Sequence, residues 1–472
     1  MQSPDLETIR ARLSAAGQEH LLQFWPELSE PARAAFAAQL AALDLDLVRR
    51  LFATRDQPSD VLPPAEALEH PPVIEFSRQH RGDGEFDAAW AQGEAALRAD
   101  RVVAFVVAGG QGTRLGFDHP KGCFPIGPVS ERSLFQLHAE KILALRRRYR
   151  CRLPWLIMTS PENHAETKAF FGAHEYFGLS ADSVWFFSQG MMPAVGLDGK
   201  ILLRDKSELA LSPNGHGGSI AALHTHGIFD RLREGGHDLL YYFQVDNPML
   251  RIAEPAFLGY HLAADVPMSL KVIRKREAAE KVGVSMLVAG QPVMVEYSDL
   301  DRYPPEANIG GRRNADGGIH FWAGSIAIHL FNRDFLEAIA RELKLPWHIA
   351  RKAVAHLDAT GTLVKPPKPN AIKFEMFIFD TMPLAGRALN VETDRPGEFS
   401  PLKNKDGVDS PATARADLTD LYAGWLSAAG HRLPTDAAGR SAQPIEIAPA
   451  TSLFGEGLEN TQLPPPNRPI LL

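Results

Sequence analysis

Residues 101–122 read RVVAFVVAGGQGTRLGFDHPKG, and this stretch decides the fold. Its first part, 101–108, is a continuous apolar run rich in valine, which predicts a strand buried on both faces of a sheet. Four glycines follow, at positions 109, 110, 112 and 116. Glycines directly after a buried strand permit positive φ angles and let backbone N–H groups approach a ligand closely. The loop is therefore typical of phosphate binding.

The segments that follow this loop predict a parallel sheet. Ser133 and Gln136 form a capping-box pattern that starts a helix, and WLIMTS at 155–160 is the next strand. Strand, glycine loop, helix and strand make a βαβ unit, so we expect an α/β, doubly wound core with its ligand at the carboxyl ends of the strands. Further strands are predicted at 184–187, 239–245, 268–273, 283–288 and 293–297, and one helix at 221–234.

Changes of composition along the chain predict three consecutive regions. Residues 1–98 have helical periodicity, and the proline-rich stretch 63–72 is typical of a linker or extended arm. Residues 99–388 form the predicted central domain. Residues 389–472, rich in Pro, Ala and Asp, predict a small C-terminal lobe with an extended end.

The overall composition excludes several classes of protein. The chain has 472 residues, 45% of them hydrophobic and 23% charged, which is typical of a soluble globular protein. Its net charge of −7 argues against a nucleic-acid binder, and we expect neither a membrane span nor a signal peptide. Two cysteines, Cys123 and Cys151, favour a cytoplasmic protein with reduced thiols. Nothing in the sequence indicates the oligomeric state.

The cations beside the glycine loop favour a polyphosphate ligand. Arg114 and Lys121 follow the glycines closely and supply charged donors. The dinucleotide fingerprint requires a glycine where Leu115 stands and an acidic end to the second strand, and neither is present. No register fits the Walker A pattern. Asp246, directly after the predicted strand 239–245, suits a Mg²⁺ shared with a phosphate because Mg²⁺ prefers oxygen ligands.

Several blocks together resemble one enzyme family. Besides GGQGTRLG and PKG, the chain contains FFSQGMMPAV (186–195), SPNGHGG (212–218), QVDN (244–247), VGV (282–284), VEYSD (295–299), IKFEMFIFD (372–380) and FSPLKN (399–404). In this order and spacing, over about residues 100–415, they resemble the UDP-sugar pyrophosphorylases, which are UTP:sugar-1-phosphate uridylyltransferases. The similarity is greatest to the eukaryotic-type UDP-N-acetylhexosamine pyrophosphorylases. The resemblance implies a Rossmann-like, GT-A-like nucleotidyltransferase fold.

The resemblance also implies roles for particular residues. Arg114 and Lys121 would hold the β- and γ-phosphates, Lys373 and Lys403 would neutralise charge around the transferred group, and Asp246 would bind Mg²⁺. Gln189 would read the uracil base. The nucleotide-binding set is Ala108, Gly109, Gly110, Gln111, Gly112, Thr113, Gln189, Gly215 and Asp246. The sugar-binding set is His216, Gly283, Glu296, Ser325, Phe377 and Phe379.

Two departures from the N-acetylhexosamine pattern affect the predicted sugar. His216 replaces an asparagine, and the segment FWAGS has Trp322 and Ser325 where the family has two asparagines. Both hexose 1-phosphates and N-acetylhexosamine 1-phosphates therefore stay open as substrates.

We thus expect a Mg²⁺-assisted uridylyltransferase that converts UTP and a sugar 1-phosphate into a UDP-sugar and pyrophosphate. Two alternatives remain at this point. One is a nucleotide-sugar-binding protein without turnover, and the other, which the missing acidic strand end disfavours, is a nicotinamide-dependent oxidoreductase.

Overall fold

The computed structural model describes residues 5–56, 62–300, 302–342, 345–465 and 468–472. Its contacts divide the chain into two compact units that interleave along the sequence. The small unit consists of Met1–Leu62, Gln189–Ala221 and Lys344–Asp380, and the sheet unit of Pro63–Ser188, Ala222–Leu343 and Thr381–Leu472. The consecutive regions predicted from the sequence, 1–98, 99–388 and 389–472, stay a prediction.

The sheet unit is a mixed α/β structure built on one large sheet. Its main strands are β1 (Val73–Ile74), β2 (Val102–Val107), β3 (Trp155–Thr159), β4 (Val184–Ser188), β5 (Leu239–Gln244), β6 (Met268–Arg274), β7 (Ala323–Asn332) and β8 (Ala388–Glu392). Their order is β1-β8-β6-β7-β5-β2-β3-β4. All neighbours are parallel except β7, which runs antiparallel to both β5 and β6. The strands Leu68–Glu69, Val284–Val288 and Gln291–Val295 extend the sheet beside β7.

The βαβ unit predicted around the glycine loop is confirmed. Strands β2 and β3 pair in parallel, and the helix Leu134–Tyr149 connects them. The Ser133 hydroxyl caps this helix by accepting from the Gln136 N–H. Because β2 and β5 also pair in parallel, the loop after β2 and Asp246 after β5 lie at the same edge of the sheet.

Helices cover the faces of this sheet. In the sheet unit they are Gly84–Arg98, Leu134–Tyr149, His164–Ala173, Ile228–Glu234, Pro255–Ala264, Tyr297–Leu300, Arg333–Glu342, Thr381–Ala385, Arg395–Glu398 and Pro411–Ala428. Two glycines let one pair of them approach very closely: a Cβ at Gly93 would lie 1.9 Å from the Pro255 carbonyl oxygen, and one at Gly259 only 1.7 Å from that of Ala89. Leu418 and Leu426 of the last helix belong to the same buried core as β2.

The prediction of one helix over 221–234 is wrong. Two helices, Gly218–Thr225 and Ile228–Glu234, occupy this stretch. Gly227 between them has a φ of 65°, a left-handed conformation that ends the first helix.

The small unit has its own core. Its helices are Leu6–Ala15, Glu30–Ala42 and Leu45–Ala53, and its three-stranded sheet pairs His348–Lys352, Ala371–Glu375 and Val195–Gly196. Residues 218–221 of helix Gly218–Thr225 also belong to this unit. Phe36 and Leu40 of the second helix pack in one cluster with Ile372 and Phe374 of the central strand. Residues 189–218 and 371–380, which carry six of the predicted site residues, are thereby held in one body.

In the part of the chain that the structure describes, no helix combines the length and the apolar character needed to cross a bilayer.

Candidate functional site

The loop after β2 is fixed by its own backbone. The Gly112 N–H donates to the His119 carbonyl at 2.8 Å, and the Lys121 N–H donates to the Gly110 carbonyl at 3.1 Å. From outside, the Asn163 amide donates to the Ala108 carbonyl at 3.0 Å. The Asn163 side chain in turn accepts from the Ser160 N–H at 2.8 Å, directly after β3. The loop is therefore preorganised before any ligand arrives.

Two glycines of the loop have opposite surroundings. A Cβ at Gly112 would lie 2.7 Å from the Phe117 carbonyl oxygen, so this position admits no side chain. At Gly110 nothing lies within 4 Å of the same point. Gly112 is required by the fold of the loop, whereas Gly110 leaves open space above the backbone. Gly109 and Gly110 are accessible, while Ala108 is buried beneath them.

Arg114, Lys121 and Asp246 all lie in the sheet unit. The Lys121 ammonium is 3.4 Å from Asp246 Oδ2 and 3.3 Å from the Leu402 carbonyl oxygen. The Lys121 and Asp246 side chains are 18% and 13% exposed, so the pair is only partly screened by solvent. Arg114 and Thr113 are exposed on the short turn that follows, and within the described residues Arg114 has no hydrogen bond or ion pair.

The segment 398–410 places a second lysine near this edge. The Leu402 N–H donates to the Asp246 carbonyl at 2.9 Å, and the next residue is Lys403. The Lys403 ammonium lies 5.9 Å from the ring centre of Phe399 and pairs with no carboxylate among the described residues. The buried Glu398 accepts from the Lys271 ammonium at 2.6 Å. Lys403 therefore has no carboxylate partner within the described residues, and it lies on a segment held by hydrogen bonds.

Three residues predicted to bind sugar also meet in the sheet unit. A Cβ at Gly283 would be 2.8 Å from Glu296 Oε1, so the carboxylate lies directly over the glycine. The Ser325 N–H donates to the Gly283 carbonyl at 2.8 Å. Trp322, three residues earlier, is buried beneath the Arg274 guanidinium, whose carbon lies 4.1 Å from the ring centre. Trp322 is therefore occupied in packing.

The small unit holds the predicted base-reading residue. Gln189 is 7% exposed, and within the described residues its amide makes no hydrogen bond. The adjacent Gly190 carbonyl accepts from the Asn214 N–H at 3.1 Å. Gly215 follows with a φ of 83°, and a Cβ there would lie 2.3 Å from the Met376 carbonyl oxygen. Gln189 and Gly215 are thus brought together, with an amide that has both a donor and an acceptor to spare.

His216, Phe377 and Phe379 form an aromatic cluster in the same unit. The His216 ring stacks on Phe377 at 5.3 Å, and Phe379 lies 5.6 Å from His216. The Ile378 N–H donates to His216 Nδ1 at 3.1 Å, so this histidine carries its hydrogen on Nε2. Burial, helped by the charge of His348, lowers the pKa of His216 to about 4. His216 is therefore a neutral donor near pH 7.

His348 is a member of this cluster that the sequence reading missed. Its ring lies 4.3 Å from that of Phe377, and its Nε2 is 2.8 Å from Asp380 Oδ2. Lys373 is on the neighbouring strand Ala371–Glu375, half-buried, with no ion pair among the described residues. No motif pointed to His348, because only the pairing of His348–Lys352 with Ala371–Glu375 brings it to this place.

The predicted residues thus fall into two sets, one in each unit. The sheet unit contains residues 108–114, Lys121, Asp246, Gly283, Glu296, Ser325 and Lys403, and the small unit contains Gln189, Gly215, His216, Lys373, Phe377 and Phe379.

Comparisons with known proteins agree with the predicted family. The profile of the family described as UTP–glucose-1-phosphate uridylyltransferase matches residues 80–426. Human UDP-N-acetylhexosamine pyrophosphorylase-like protein 1 is 38% identical, over 96% of this chain and 94% of the human protein. The UDP-N-acetylglucosamine pyrophosphorylase of Saccharomyces cerevisiae is 37% identical, over 78% of this chain and 77% of the yeast protein. The crystal structure of the Trypanosoma brucei uridine diphosphate N-acetylglucosamine pyrophosphorylase in complex with inhibitor is similar over 99% of this chain and 98% of that one, with 27% identity and a TM-score of 0.81.

Proposed function

The chain belongs to the UTP–glucose-1-phosphate uridylyltransferase family, and from this premise we propose how its residues carry out the reaction. The enzyme transfers the uridylyl group of UTP to a sugar 1-phosphate and releases pyrophosphate. The observation that carries the assignment of its phosphate site is the Lys121–Asp246 pair, held 3.4 Å apart at the sheet edge that bears the glycine loop. The nicotinamide alternative is dropped with the family assignment.

The chemistry needs positioning and charge neutralisation rather than proton transfer. A non-bridging oxygen of the sugar phosphate attacks the α-phosphorus of UTP in line. The new bond forms between that oxygen and the α-phosphorus, and the bond from the α-phosphorus to the oxygen of the β-phosphate breaks. The electron pair of that bond leaves with pyrophosphate. Because the attacking oxygen is already anionic, no general base is required.

Four cations of this chain are proposed to stabilise the charge. Arg114 and Lys121 hold the β- and γ-phosphates and the leaving pyrophosphate. Lys373 and Lys403 neutralise the sugar phosphate and the charge that develops between the two substrates. Support comes from their pairing: three of the four have no ion pair within the described residues, and Lys121 has only one long contact with a carboxylate.

The donor set fits a Mg²⁺ ion that is shared with substrate rather than held by protein alone. The described residues contain no group of three or more His, Cys, Asp or Glu side chains placed to hold a metal. Asp246 is a single carboxylate at the ligand edge, and Mg²⁺ is commonly bound by one or two carboxylates together with substrate phosphates and water. Asp246 would hold the ion, which would supply charge stabilisation at the α-phosphate. The nearby Lys121 ammonium, 3.4 Å from its Oδ2, orients that carboxylate.

The small unit is proposed to select the base and to bind part of the sugar. The spare donor and acceptor of the Gln189 amide suit the edge of uracil, beside the Gly215 backbone. In the sheet unit, residues 108–113 are proposed to bind the nucleotide through their backbone. His216, through its Nε2–H, and the rings of Phe377 and Phe379 are proposed to contact the sugar. For the sheet unit, the same role is proposed for Gly283, Glu296 and Ser325. The substrate class is a hexose 1-phosphate or an N-acetylhexosamine 1-phosphate.

The proposal also covers the fold type and the cellular location. We assign the mixed α/β sheet to the Rossmann-like, GT-A-like nucleotidyltransferase type, which is supported by the glycine loop at the carboxyl end of β2. We also propose a cytoplasmic location, since both Cys123 and Cys151 are free thiols.

Replacement of Lys121 tests the assignment. Lys121→Ala should lower kcat/KM for pyrophosphate release by about 10²–10³-fold, which is roughly 3–4 kcal/mol of lost transition-state stabilisation. Lys168→Ala is the matched control, because Lys168 is an exposed lysine on the neighbouring helix His164–Ala173. The assay uses UTP and Mg²⁺ with the 1-phosphates of glucose, galactose, N-acetylglucosamine and N-acetylgalactosamine. A Lys121→Ala enzyme with the wild-type rate on its best sugar would refute the role of Lys121, and no turnover on any sugar would favour a binding protein.

A further inference from the structure

The segment that carries Asp246 has no regular secondary structure. Strand β5 ends at Gln244, and the chain from Val245 to Leu250 belongs to neither helix nor strand. Such a segment can hold a carboxylate in a fixed direction only if its buried backbone groups find partners elsewhere. The partners therefore decide how well Asp246 is positioned.

One helix supplies partners on both sides of Asp246. Helix Leu134–Tyr149 places His138 and Lys141 one turn apart on one face. His138 Nε2 donates to the Val245 carbonyl at 3.1 Å. The Lys141 ammonium donates to the carbonyls of Pro248 and Leu250, at 2.5 and 2.9 Å. A single helix thus binds the residue before Asp246 and two residues after it.

The opposite side of the segment is bound by residues 398–402. The Asn247 amide donates to the Glu398 carbonyl at 2.8 Å, and Asn247 Oδ1 accepts from the Ser400 N–H at 3.2 Å. The Asp246 carbonyl accepts from the Leu402 N–H. The Leu402 carbonyl, on the far side of this contact, accepts from the Lys121 ammonium.

Placing the Lys141 ammonium against two carbonyls has a desolvation cost. Burial lowers the pKa of Lys141 to about 7, with the charge of Glu398 opposing the effect. Among the described residues no carboxylate lies in ion-pair contact with it. A methionine of similar length would bury without this cost, so packing alone does not explain a lysine here.

We propose that Lys141 is a positioning residue, which fixes the carbonyls of Pro248 and Leu250 and thereby the direction of the Asp246 carboxylate. The proposal rests on the proposed function, in which Asp246 binds Mg²⁺ beside the α-phosphate. Lys141 touches no substrate and acts through the 245–250 segment.

The test compares Lys141→Met with Lys200→Met. Lys200 also donates its ammonium to a backbone carbonyl, that of Gly17, but in the small unit. Lys141→Met should raise the Mg²⁺ concentration for half-maximal rate at least tenfold and lower kcat, while KM for the sugar 1-phosphate stays within twofold. The Kd of UTP measured by calorimetry in EDTA should also stay within twofold, because Arg114 and the glycine loop are untouched. Lys200→Met should show none of these changes.

A second readout does not depend on activity. Hydrogen–deuterium exchange of the peptide covering 245–250 should be faster in Lys141→Met than in Lys200→Met, and Lys141→Arg, which keeps two donors, should restore both exchange and the Mg²⁺ requirement. The inference is overturned if folded Lys141→Met keeps the wild-type Mg²⁺ requirement and exchange, or if every constant, including the Kd of UTP, weakens together. If Lys141→Met does not fold, Lys141→Arg decides: wild-type constants support the proposal, and a weakened Kd of UTP in EDTA overturns it. A wild-type enzyme without turnover would refute the proposed function instead.

Discussion

The glycine loop allows a paired experiment in which two neighbouring glycines should fail for different reasons. Alanine at position 112 would put a methyl carbon 2.7 Å from the Phe117 carbonyl oxygen and 2.8 Å from its Cδ1, where ordinary contact begins at 3.4 Å. The carbonyl belongs to the backbone and cannot rotate away. We therefore expect Gly112→Ala to lower the free energy of unfolding by about 1–3 kcal/mol, as overpacking usually does.

Gly110→Ala should leave the fold intact and damage binding. Nothing lies within 4 Å of the added methyl group, and Gly110 does not have a left-handed φ. Its stability should change by no more than about 1 kcal/mol, and in the stabilising direction, because alanine restricts the unfolded chain. The methyl group would stand where phosphate oxygens approach the backbone, so the KM for UTP should rise about tenfold or more, or roughly 1.4 kcal/mol.

Denaturant unfolding and pyrophosphate release, measured on the same preparations, separate the two effects. A folded Gly110→Ala enzyme with the wild-type KM for UTP would show that the phosphates do not lie on this loop. A Gly112→Ala enzyme as stable as the wild type would refute the proposed steric clash.

Two further predictions concern buried charge and pH. Because burial lowers the pKa of His216 from 6.5 to about 4, the unfolded chain binds a proton at this residue more readily than the folded one. The wild type should therefore lose stability relative to His216→Asn as the pH falls from about 6.5 to about 4, by up to roughly 1.4 kcal/mol per pH unit in denaturant unfolding; a difference that does not change with pH would contradict this. Lys271→Met should lower the free energy of unfolding by about 3–5 kcal/mol, because it leaves Glu254 and Glu398 buried without their shared cation. Equal unfolding midpoints for Lys271→Met and the exposed control Lys168→Met would contradict the pairing.

Local signals explain which parts of the fold could be predicted. The apolar run of β2, the glycines after it and the Ser133 cap each act within a few residues, and the structure confirms them. Strand β7 was not predicted, although Trp322 and Ser325 were singled out as motif residues. The strand is antiparallel and lies between β5 and β6, which are far from it in sequence, so nothing local indicates its place.

The same distinction applies to the candidate site. The residues predicted to meet the substrates came from motifs, whereas the residues that hold them in place did not. The Asn163 amide, just after the carboxyl end of β3, donates to the Ala108 carbonyl at the start of the glycine loop. The Leu402 carbonyl accepts from the Lys121 ammonium, although the two residues are almost three hundred positions apart in the sequence. No motif includes Lys141 or His138. Their partners depend on which elements lie side by side, and this is a tertiary property.

Ion pairing separates the structural cations of this chain from those proposed to bind the substrates. Lys271 is a structural cation, because it is fully buried and two glutamates lie within 2.7 Å of its ammonium. Arg114 and Lys403 lie at the ligand edge with no carboxylate partner among the described residues, and Lys121 shares Asp246 only at 3.4 Å. Cations grouped without counterions repel one another, and an anion placed among them is stabilised more than it would be in water. In the proposed function, a triphosphate and a sugar phosphate supply that charge, the sugar phosphate monoester alone carrying about −1.5 to −2, so the site would be complete in electrostatic terms only when both substrates are bound.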